Sequence, residues 1–415
     1  MKSIIKRKNL WLRAIICLAV CIVLLPLSST AEVLVVSVGS EGTDAEASDS
    51  VEMWVRSGGS FALARDRDGV IWGWGDNVRG QLGDGTNKRV PYPAPVAVGI
   101  DGRHVADIQC GNENVLLLMD DGTVYTCGNN NYGQQGDGKT AVQVRVPQKV
   151  EGLEDIVQVA CGYGHCLART SDGRVYGWGR NSNGQIGTGD RKAYNRPVLL
   201  EMERMQDICC GGKFSLGLDE QGRVWGWGAN EYGQLPGCKV GKNYPAPTLL
   251  QIEPSLVTIT AGGSSGYGLD AEGNVYAWGR NDFYQTGTES RQKNVLEPVM
   301  PLTEPAVFLA AYNSHCLAIH SDGRVTFWGS SETGQMGNGV RKPKTLPIEA
   351  VTSGRPALQA AVSSLACYLV LDDGSVWATG YNKYMQIGLG SRRGEVVADW
   401  TDIGLNLKDC TYQQK

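Results

Sequence analysis

Several features that would point to catalysis, metal binding or repeated membrane passage are scarce or absent in this sequence. Only four histidines occur among 415 residues, and no C-x-x-C pair is present. A zinc site or a thioredoxin-like dithiol therefore has little support. No basic run marks a nucleic-acid surface, and no second hydrophobic run of membrane-spanning length follows the N-terminal one. We predict no cofactor and no metal.

The first 31 residues form a segment of their own. Five basic residues accompany the apolar run AIICLAVCIVLLPL (14–27), and the following SSTA (28–31) has small residues suited to signal-peptidase cleavage. The run is shorter than the roughly 20 residues that a bilayer span needs. We predict a cleaved signal over residues 1–31 and a secreted or cell-envelope protein. The alternative is an uncleaved anchor, which would be the only membrane contact.

Loss of this signal makes the remaining chain more acidic. It would leave 34 basic against 43 acidic side chains. Such a body is repelled by phosphate backbones, so we predict a protein partner and no nucleic acid.

What the sequence does contain is a repeat. Each copy runs from a D-G turn through a strand ending near Trp-Gly to an N-x-x-G-Q-x-G loop. The seven copies start DGVIWGWG (68), DGTVYTCG (121), DGRVYGWG (172), QGRVWGWG (221), EGNVYAWG (272), DGRVTFWG (322) and DGSVWATG (373). A recurrence of this kind is the signature of repeat architectures.

Each repeat of about 50 residues has the pattern of a β unit. Alternating Val and Trp bury one strand face, while Gly and Asn suit tight turns. We predict an all-β, seven-bladed propeller over residues 51–410, after an acidic flexible linker (32–50) and before a short tail (411–415). We expect strands from both termini to close the ring, with 394–410 supplying outer strand material for the blade that begins at 53–64.

One copy imitates a nucleotide-binding loop. GQQGDGKT (133–140) fits the template GxxxxGK[ST], which works where a helix begins at the Lys. AVQVRVP follows instead, and the equivalent stretches GQLGDGTN and GQIGTGDR do not fit the template. We interpret it as a repeat turn.

The repeat resembles that of the regulator of chromosome condensation family, whose motif reads G-x-x-H-x-x-A-L…D-G-x-V-x-x-W-G-x-N-x-x-G-Q-L-G-x-G. The resemblance covers 51–410 and implies a seven-bladed propeller. The family's founding nuclear member is an exchange factor for the small GTPase Ran and docks on chromatin. Secreted bacterial members, which this chain is closest to in kind, include a β-lactamase inhibitor that binds through loops on a propeller face.

The chain departs from this motif in several copies. The motif His occurs only at His165 and His315, and Cys127 and Thr379 replace Trp. No insertion is long enough for an exchange wedge, and an export signal is incompatible with a nuclear role. Guanine-nucleotide exchange is therefore an unfavoured function.

Ten cysteines follow the predicted signal, and most share repeat positions with Ser, Ala, Gly or Val. Packing is the favoured interpretation for Cys110, Cys127, Cys161, Cys166, Cys210, Cys316 and Cys367. The other three, Cys209, Cys238 and Cys410, break the register, so a disulfide would most readily involve them.

No cluster of candidate catalytic residues breaks the symmetry of the repeat, so we predict that the protein is not an enzyme. The alternative is a carbohydrate-active or other enzyme that uses the central channel, which carboxylate pairs on inner strands would favour. We expect small and apolar residues there. A purely structural envelope component is a third possibility.

One loop position suggests a binding role. Ten residues after each leading glycine, four of the seven copies have an aromatic residue beside an invariant Gln. We predict a partner-binding face that includes Arg79, Tyr132, Tyr232, Phe283 and Tyr384. In the alternative interpretation, these rings pack on the next blade.

Overall fold

The computed structural model describes residues 52–96, 104–140, 143–289, 293–352, 354–391 and 395–415. The predicted signal and linker, residues 1–50, lie outside the described residues. Strands and turns make up this part of the chain. Within it, no helix is long and apolar enough to cross a membrane.

Twenty-nine strands form seven antiparallel sheets, each built from consecutive segments. Blade 1 contains β1 (Trp54–Ser57), β2 (Phe61–Arg65), β3 (Ile71–Gly75) and β4 (Val90–Pro95); blade 2 contains β5 (Val105–Cys110), β6 (Asn114–Met119), β7 (Val124–Gly128) and β8 (Val144–Lys149). Blade 3 contains β9 (Ile156–Cys161), β10 (His165–Thr170), β11 (Val175–Gly179) and β12 (Tyr194–Leu199); blade 4 contains β13 (Met205–Cys210), β14 (Phe214–Asp219), β15 (Val224–Gly228) and β16 (Tyr244–Leu249).

The remaining three blades follow the same plan. Blade 5 contains β17 (Thr258–Ala261), β18 (Ser265–Leu269), β19 (Val275–Arg280) and β20 (Asn294–Val299). Blade 6 contains β21 (Phe308–Tyr312), β22 (His315–Ile319), β23 (Val325–Ser331) and β24 (Lys342–Glu349). Blade 7 contains β25 (Ala357–Val362), β26 (Ala366–Leu371), β27 (Ser375–Tyr381), β28 (Val396–Asn406) and β29 (Thr411–Tyr412). The predicted seven-bladed propeller is confirmed.

The antiparallel order defines two faces of the ring. The first strand of each blade lines the central channel and the fourth lies at the rim. We call the side with the first-to-second turns and third-to-fourth loops the upper face. The D-G turns and the links between blades lie on the lower face. All seven N-x-x-G-Q-x-G loops therefore share the upper face.

In blades 1, 4 and 5, an aspartate at or just after the end of the second strand holds the turn that contains the leading glycine. In blade 4, Asp219 Oδ1 accepts the backbone N–H groups of Gln221 and Arg223, and its Oδ2 accepts Trp225 Nε1 at 2.9 Å. Gly222 has φ +74°, a conformation that favours glycine. In blades 2, 6 and 7, the Asp of D-G itself accepts the backbone N–H two residues later. The leading glycine has a positive φ in all seven blades, so its recurrence in the sequence follows from this turn geometry.

The Trp of Trp-Gly joins neighbouring blades. Trp278 is fully buried, and its Nε1 donates to the carbonyl of Gln234 in the preceding blade at 3.0 Å. The same bond recurs from Trp74 to Gln386, Trp178 to Gln134, Trp227 to Gln185 and Trp328 to Gln285. Where Trp is replaced, Cys127 Sγ donates to the Gln81 carbonyl and Thr379 Oγ1 to that of Gly334. The motif therefore encodes the joint between blades.

The ring closes where elements near both ends of the described chain meet, but not by the predicted sharing of one sheet. The segment expected to complete blade 1 forms β28, which pairs with β27 within blade 7, and the predicted tail adds β29 to the same sheet. Blade 1 already has its outer strand, because β4 pairs with β3. Closure instead uses the ordinary Trp joint and a 2.8 Å bond from Gly390 N–H to the Pro91 carbonyl.

Candidate partner-binding face

Seven copies of one hydrogen-bonded loop frame build the upper face. In blade 4, Gln234 Oε1 accepts the backbone N–H of Tyr232 at 2.7 Å, and Asn230 Oδ1 accepts that of Leu235 at 2.9 Å. Both bonds recur in every blade, with Ser331 replacing Asn in blade 6. The Gln side chains are 0–2% exposed. The invariant Gln and Asn are thus structural, and they position the variable residue between them.

That variable position holds all five residues predicted to bind a partner. Arg79, Tyr132, Tyr232, Phe283 and Tyr384 occupy equivalent places in the upper-face loops of blades 1, 2, 4, 5 and 7. Tyr132 is 40% exposed, and the other four are half-buried. The structure places them on one face, in separate loops around the ring.

Arginines that the sequence reasoning did not single out lie over all four of these aromatic rings. Arg180 lies 4.9 Å above the Tyr132 ring, and Arg280 lies 4.7 Å above the Tyr232 ring. Each arginine belongs to the blade after its tyrosine. The Arg89 guanidinium of blade 1 lies 4.9 Å from the Tyr384 ring, across the ring closure. Such cation–π contacts need a guanidinium within about 6 Å of the ring. They could be located only once the fold had joined two repeats.

The aromatic position therefore combines both interpretations given by the sequence. Each tyrosine packs on the next blade and also keeps part of its ring in solvent. Arg79 likewise contacts the next blade and stays partly in solvent. Its Nε lies 3.6 Å from Glu113 Oε2 in blade 2, and its side chain is 39% exposed. Mutation can separate these two contributions.

One concave feature of this face lies between blades 4 and 5. This pocket, called here the 4/5 pocket, has a volume of about 190 Å³. Tyr232 and Arg280 form one side; Lys213, Glu231 and Tyr163 are among the other lining residues. Asp282 Oδ2 accepts Arg280 Nη2 at 2.6 Å. Burial lowers the pKa of Arg280, but the hydrogen bond to the Asp282 carboxylate and its charge raise the pKa by more. The guanidinium therefore stays charged.

Tyr163 separates the 4/5 pocket from the central channel. It extends from the first turn of blade 3 across the ring, and its hydroxyl donates to Asn313 Oδ1 in blade 6 at 3.1 Å. Glycine makes room for it, because a Cβ at Gly212 would lie 2.7 Å from the ring. Burial raises the pKa of Tyr163, and nearby Arg280 partly opposes the shift.

Charge divides the two faces. The described turns and loops of the upper face contain 13 basic and 10 acidic side chains. The described lower-face turns and inter-blade links contain 6 basic and 18 acidic ones. Among these described turns, loops and links, the acidic side chains are thus concentrated on the lower face. A negatively charged partner is favoured on the upper face alone.

Comparison with known proteins agrees with this architecture. The model of the RCC1-like domain matches residues 101–410, and that of the regulator of chromosome condensation (RCC1) repeat matches residues 68–118. The chain belongs to the RCC1-like domain family.

Its relatives are diverse. Human E3 ubiquitin-protein ligase HERC2 is 28% identical over 301 residues, covering 70% of this chain but only 5% of its own length. The ultraviolet-B receptor UVR8 of Arabidopsis thaliana is 25% identical over 344 residues, covering 81% of this chain and 67% of UVR8. Human WBSCR16 superposes with a TM-score of 0.68 at 25% identity, covering 75% of this chain and 84% of that one. This RCC1-like chain therefore spans a small part of some relatives and most of others.

The channel of this RCC1-like propeller is more polar than the sequence reasoning expected. It encloses about 190 Å³, and one inner-strand position, three residues before the small-residue position, holds Asp107, Gln158, Asp207 and Gln359 in blades 2, 3, 4 and 7. The expectation of small, apolar inner residues was wrong at this position. That expectation was based only on the inner-strand position that holds Cys, Ala or Ser in most blades.

These polar side chains bind neighbouring blades. Asp207 Oδ2 accepts the Ile259 N–H at 3.1 Å, and Gln359 Oε1 accepts the Val55 N–H at 2.7 Å across the ring closure. Asp107 pairs with Arg56 at 3.0 Å. Burial raises the pKa of Asp207 to about 6, although four polar neighbours, Gln158 first, oppose the shift. The carboxylates of Asp107 and Asp207 thus each bond to groups of a neighbouring blade.

The cysteines and motif histidines lie in or beside the strands. Cys110, Cys127, Cys166, Cys316 and Cys367 are buried, while Cys161 and Cys210 are half-buried. His165 donates to or accepts from Ser215 Oγ at 3.0 Å, and burial lowers its pKa to about 3. These positions agree with packing roles.

The stretch that imitates a nucleotide-binding loop lies between β7 and β8. Gly138 N–H donates to the Asn195 carbonyl of the next blade at 2.8 Å, and Lys139 and Thr140 are exposed. A strand follows it, so the interpretation as a repeat turn is confirmed.

Proposed function

We propose that this protein is an exported, non-catalytic module that binds a partner protein through its upper face. One observation carries the proposal: an identical loop frame presents a different, partly exposed side chain in successive blades. Rigid scaffolds with variable loops are a common basis of protein recognition. Tyr and Arg, which dominate this position and its stacks, are also the residues enriched at binding hot spots.

The family supports the coarse part of this proposal. RCC1-like propellers bind other proteins: Prp20 of Saccharomyces cerevisiae was solved bound to Kap60, and binding of Prp20p to Gsp1p and histones has been studied. These structures are 23% and 24% identical to the present chain, so we transfer only the fold and no partner. The activities of the HERC ligases and of UVR8 are likewise not assigned to this chain.

Site-specific photocrosslinking tests the binding face. A photoreactive amino acid would replace Tyr132 or Tyr232 on the upper face, and Ala271 in the lower-face turn of blade 5 as the matched control. All three positions are at least partly exposed. After irradiation in the native host, we expect partner adducts from the upper positions only. Equal adducts from Ala271, or adducts from Ala271 alone, would refute the proposal.

Export has its own test, because it depends on residues 1–31. Protein recovered from the native host should begin near Glu32 and should be found in the medium or envelope. Recovery of the full-length chain from the cytosol would overturn this part and leave the binding face open.

A further inference from the structure

The 4/5 pocket has the chemistry of a carboxylate site. Resting on the proposed function above, we propose that it receives an acidic side chain from an acidic segment of the partner protein. The upper face would then recognise one class of ligand, an acidic peptide, rather than any exposed protein surface.

Arg280 is the principal donor of this site. Its guanidinium lies 4.7 Å from the Tyr232 ring and 5.7 Å from the Phe283 ring, so two aromatic groups restrict its orientation. Asp282 holds Nη2, whereas Nε has no hydrogen-bond partner among the described residues and is buried. A guanidinium has five N–H donors, and one carboxylate cannot satisfy them all. A preorganised arginine with remaining donors suits a second carboxylate.

The rest of the pocket complements Arg280. Lys213 is exposed on the facing turn, and no ion pair of Lys213 is found among the described residues. Ser264 and Ser314 add hydroxyl donors, and the Tyr163 phenol closes the floor. The opposing charges are Asp282, already paired with Arg280, and the exposed Glu231. Together these groups carry two positive and two negative charges, so an entering carboxylate relies on Lys213 and on the donors of Arg280 that Asp282 leaves free.

The wider face favours a peptide over a nucleic acid. Its excess of basic side chains attracts acidic ligands, but its 10 acidic ones are interspersed among them. A polyphosphate backbone carries a charge at every step and would meet those carboxylates, whereas an acidic peptide can place its charges selectively. The half-buried rings beside the pocket offer apolar contact to a peptide's other side chains.

The probe is a fluorescent peptide of alternating Glu and Gly, titrated by anisotropy at about 20 and about 150 mM salt. We expect Arg280→Gln to weaken binding roughly tenfold and Lys213→Gln about threefold. Lys192→Gln is the matched control, because Lys192 is exposed on an upper-face loop, as Lys213 is, but lies outside the pocket. It should change affinity by less than about twofold, and lower-face Lys408→Gln should change it less still.

Equal losses in Arg280→Gln and Lys192→Gln would show that the general field binds the peptide and would overturn the pocket. Normal binding by the Lys213→Gln variant would also overturn the pocket, because this exposed side chain should not affect folding. Tighter binding of a deoxythymidine oligonucleotide or of phosphatidylserine vesicles would overturn the peptide class. If the Glu peptide does not bind while photoreactive residues at Tyr132 and Tyr232 still crosslink a partner, the acidic-peptide inference is refuted and the proposed function is retained. Absence of upper-face adducts removes the proposed function itself.

Discussion

The two faces of the ring use their polar side chains in opposite ways. On the lower face, carboxylates such as Asp219 and Asp270 accept hydrogen bonds within their own turns, so the residues that carry the charge also hold the structure. On the upper face, buried neutral amides hold each loop, and charged and aromatic residues are left on its surface. The upper face can therefore vary its displayed side chains without altering its frame, whereas in these lower-face turns the charged residue is part of the frame.

The largest expected effect comes from breaking the frame beneath the upper face. Trp278→Ala removes a fully buried ring and its bond to the Gln234 carbonyl, and should lower the free energy of unfolding by about 3–5 kcal/mol. Thr379→Ala, in the equivalent position of blade 7, removes far less volume and should cost about 1 kcal/mol. Denaturant unfolding of both variants checks this, and equal costs would contradict the role assigned to the Trp joint.

Asp207 gives the frame a pH dependence opposite to that of most carboxylates. Its folded-state pKa of about 6 lies above the unfolded value of about 3.9, so the folded state binds the proton more tightly. Its contribution to stability is full below about pH 4 and is lost as pH rises through 6. Relative to Asp207→Asn, the wild type should gain up to about 3 kcal/mol between pH 7 and pH 4. A constant difference across that range, measured by urea unfolding, would contradict the shift.

Lower-face turns should respond more weakly. Asp270→Ala removes the acceptor of the Glu272 and Asn274 N–H groups and of the Tyr276 hydroxyl, which should cost about 1–2 kcal/mol. Glu272→Ala, in the same turn but exposed, should cost less than about 0.5 kcal/mol. Thermal melts of the pair compare them, and a larger cost for Glu272→Ala would show that the turn is held differently.

Much of the fold could be predicted from the sequence, because the turn and joint residues recur. The D-G turn, Trp and Gln each have one local role repeated around the ring, which self-alignment reveals. The blade that contains the strand within 394–410 was predicted wrongly, because no local pattern distinguishes an outer strand of blade 7 from one of blade 1. The polar inner position escaped notice because Trp54, Thr258 and Phe308 occupy it in the other blades, so it lacks a common residue type.

The candidate face was predicted only in outline. Equivalent positions of Tyr132 and Tyr232 place them on one side of any ring of repeats. Their partners Arg180 and Arg280 come from the following repeat, and contact between them depends on how blades pack. The charge difference between the faces likewise requires knowing which segment emerges on which side.

The most direct test concerns Tyr232 and Phe283, with binding to the crosslinked partner and stability measured on the same preparations. If the upper face holds the partner, Tyr232→Ala and Phe283→Ala should each weaken binding by about 1–3 kcal/mol and change the free energy of unfolding by less than about 1 kcal/mol. The loop frame should survive, because Gln234 accepts a backbone N–H that alanine retains. Lowered stability with unchanged affinity per folded molecule would contradict the account and assign these rings to packing between blades.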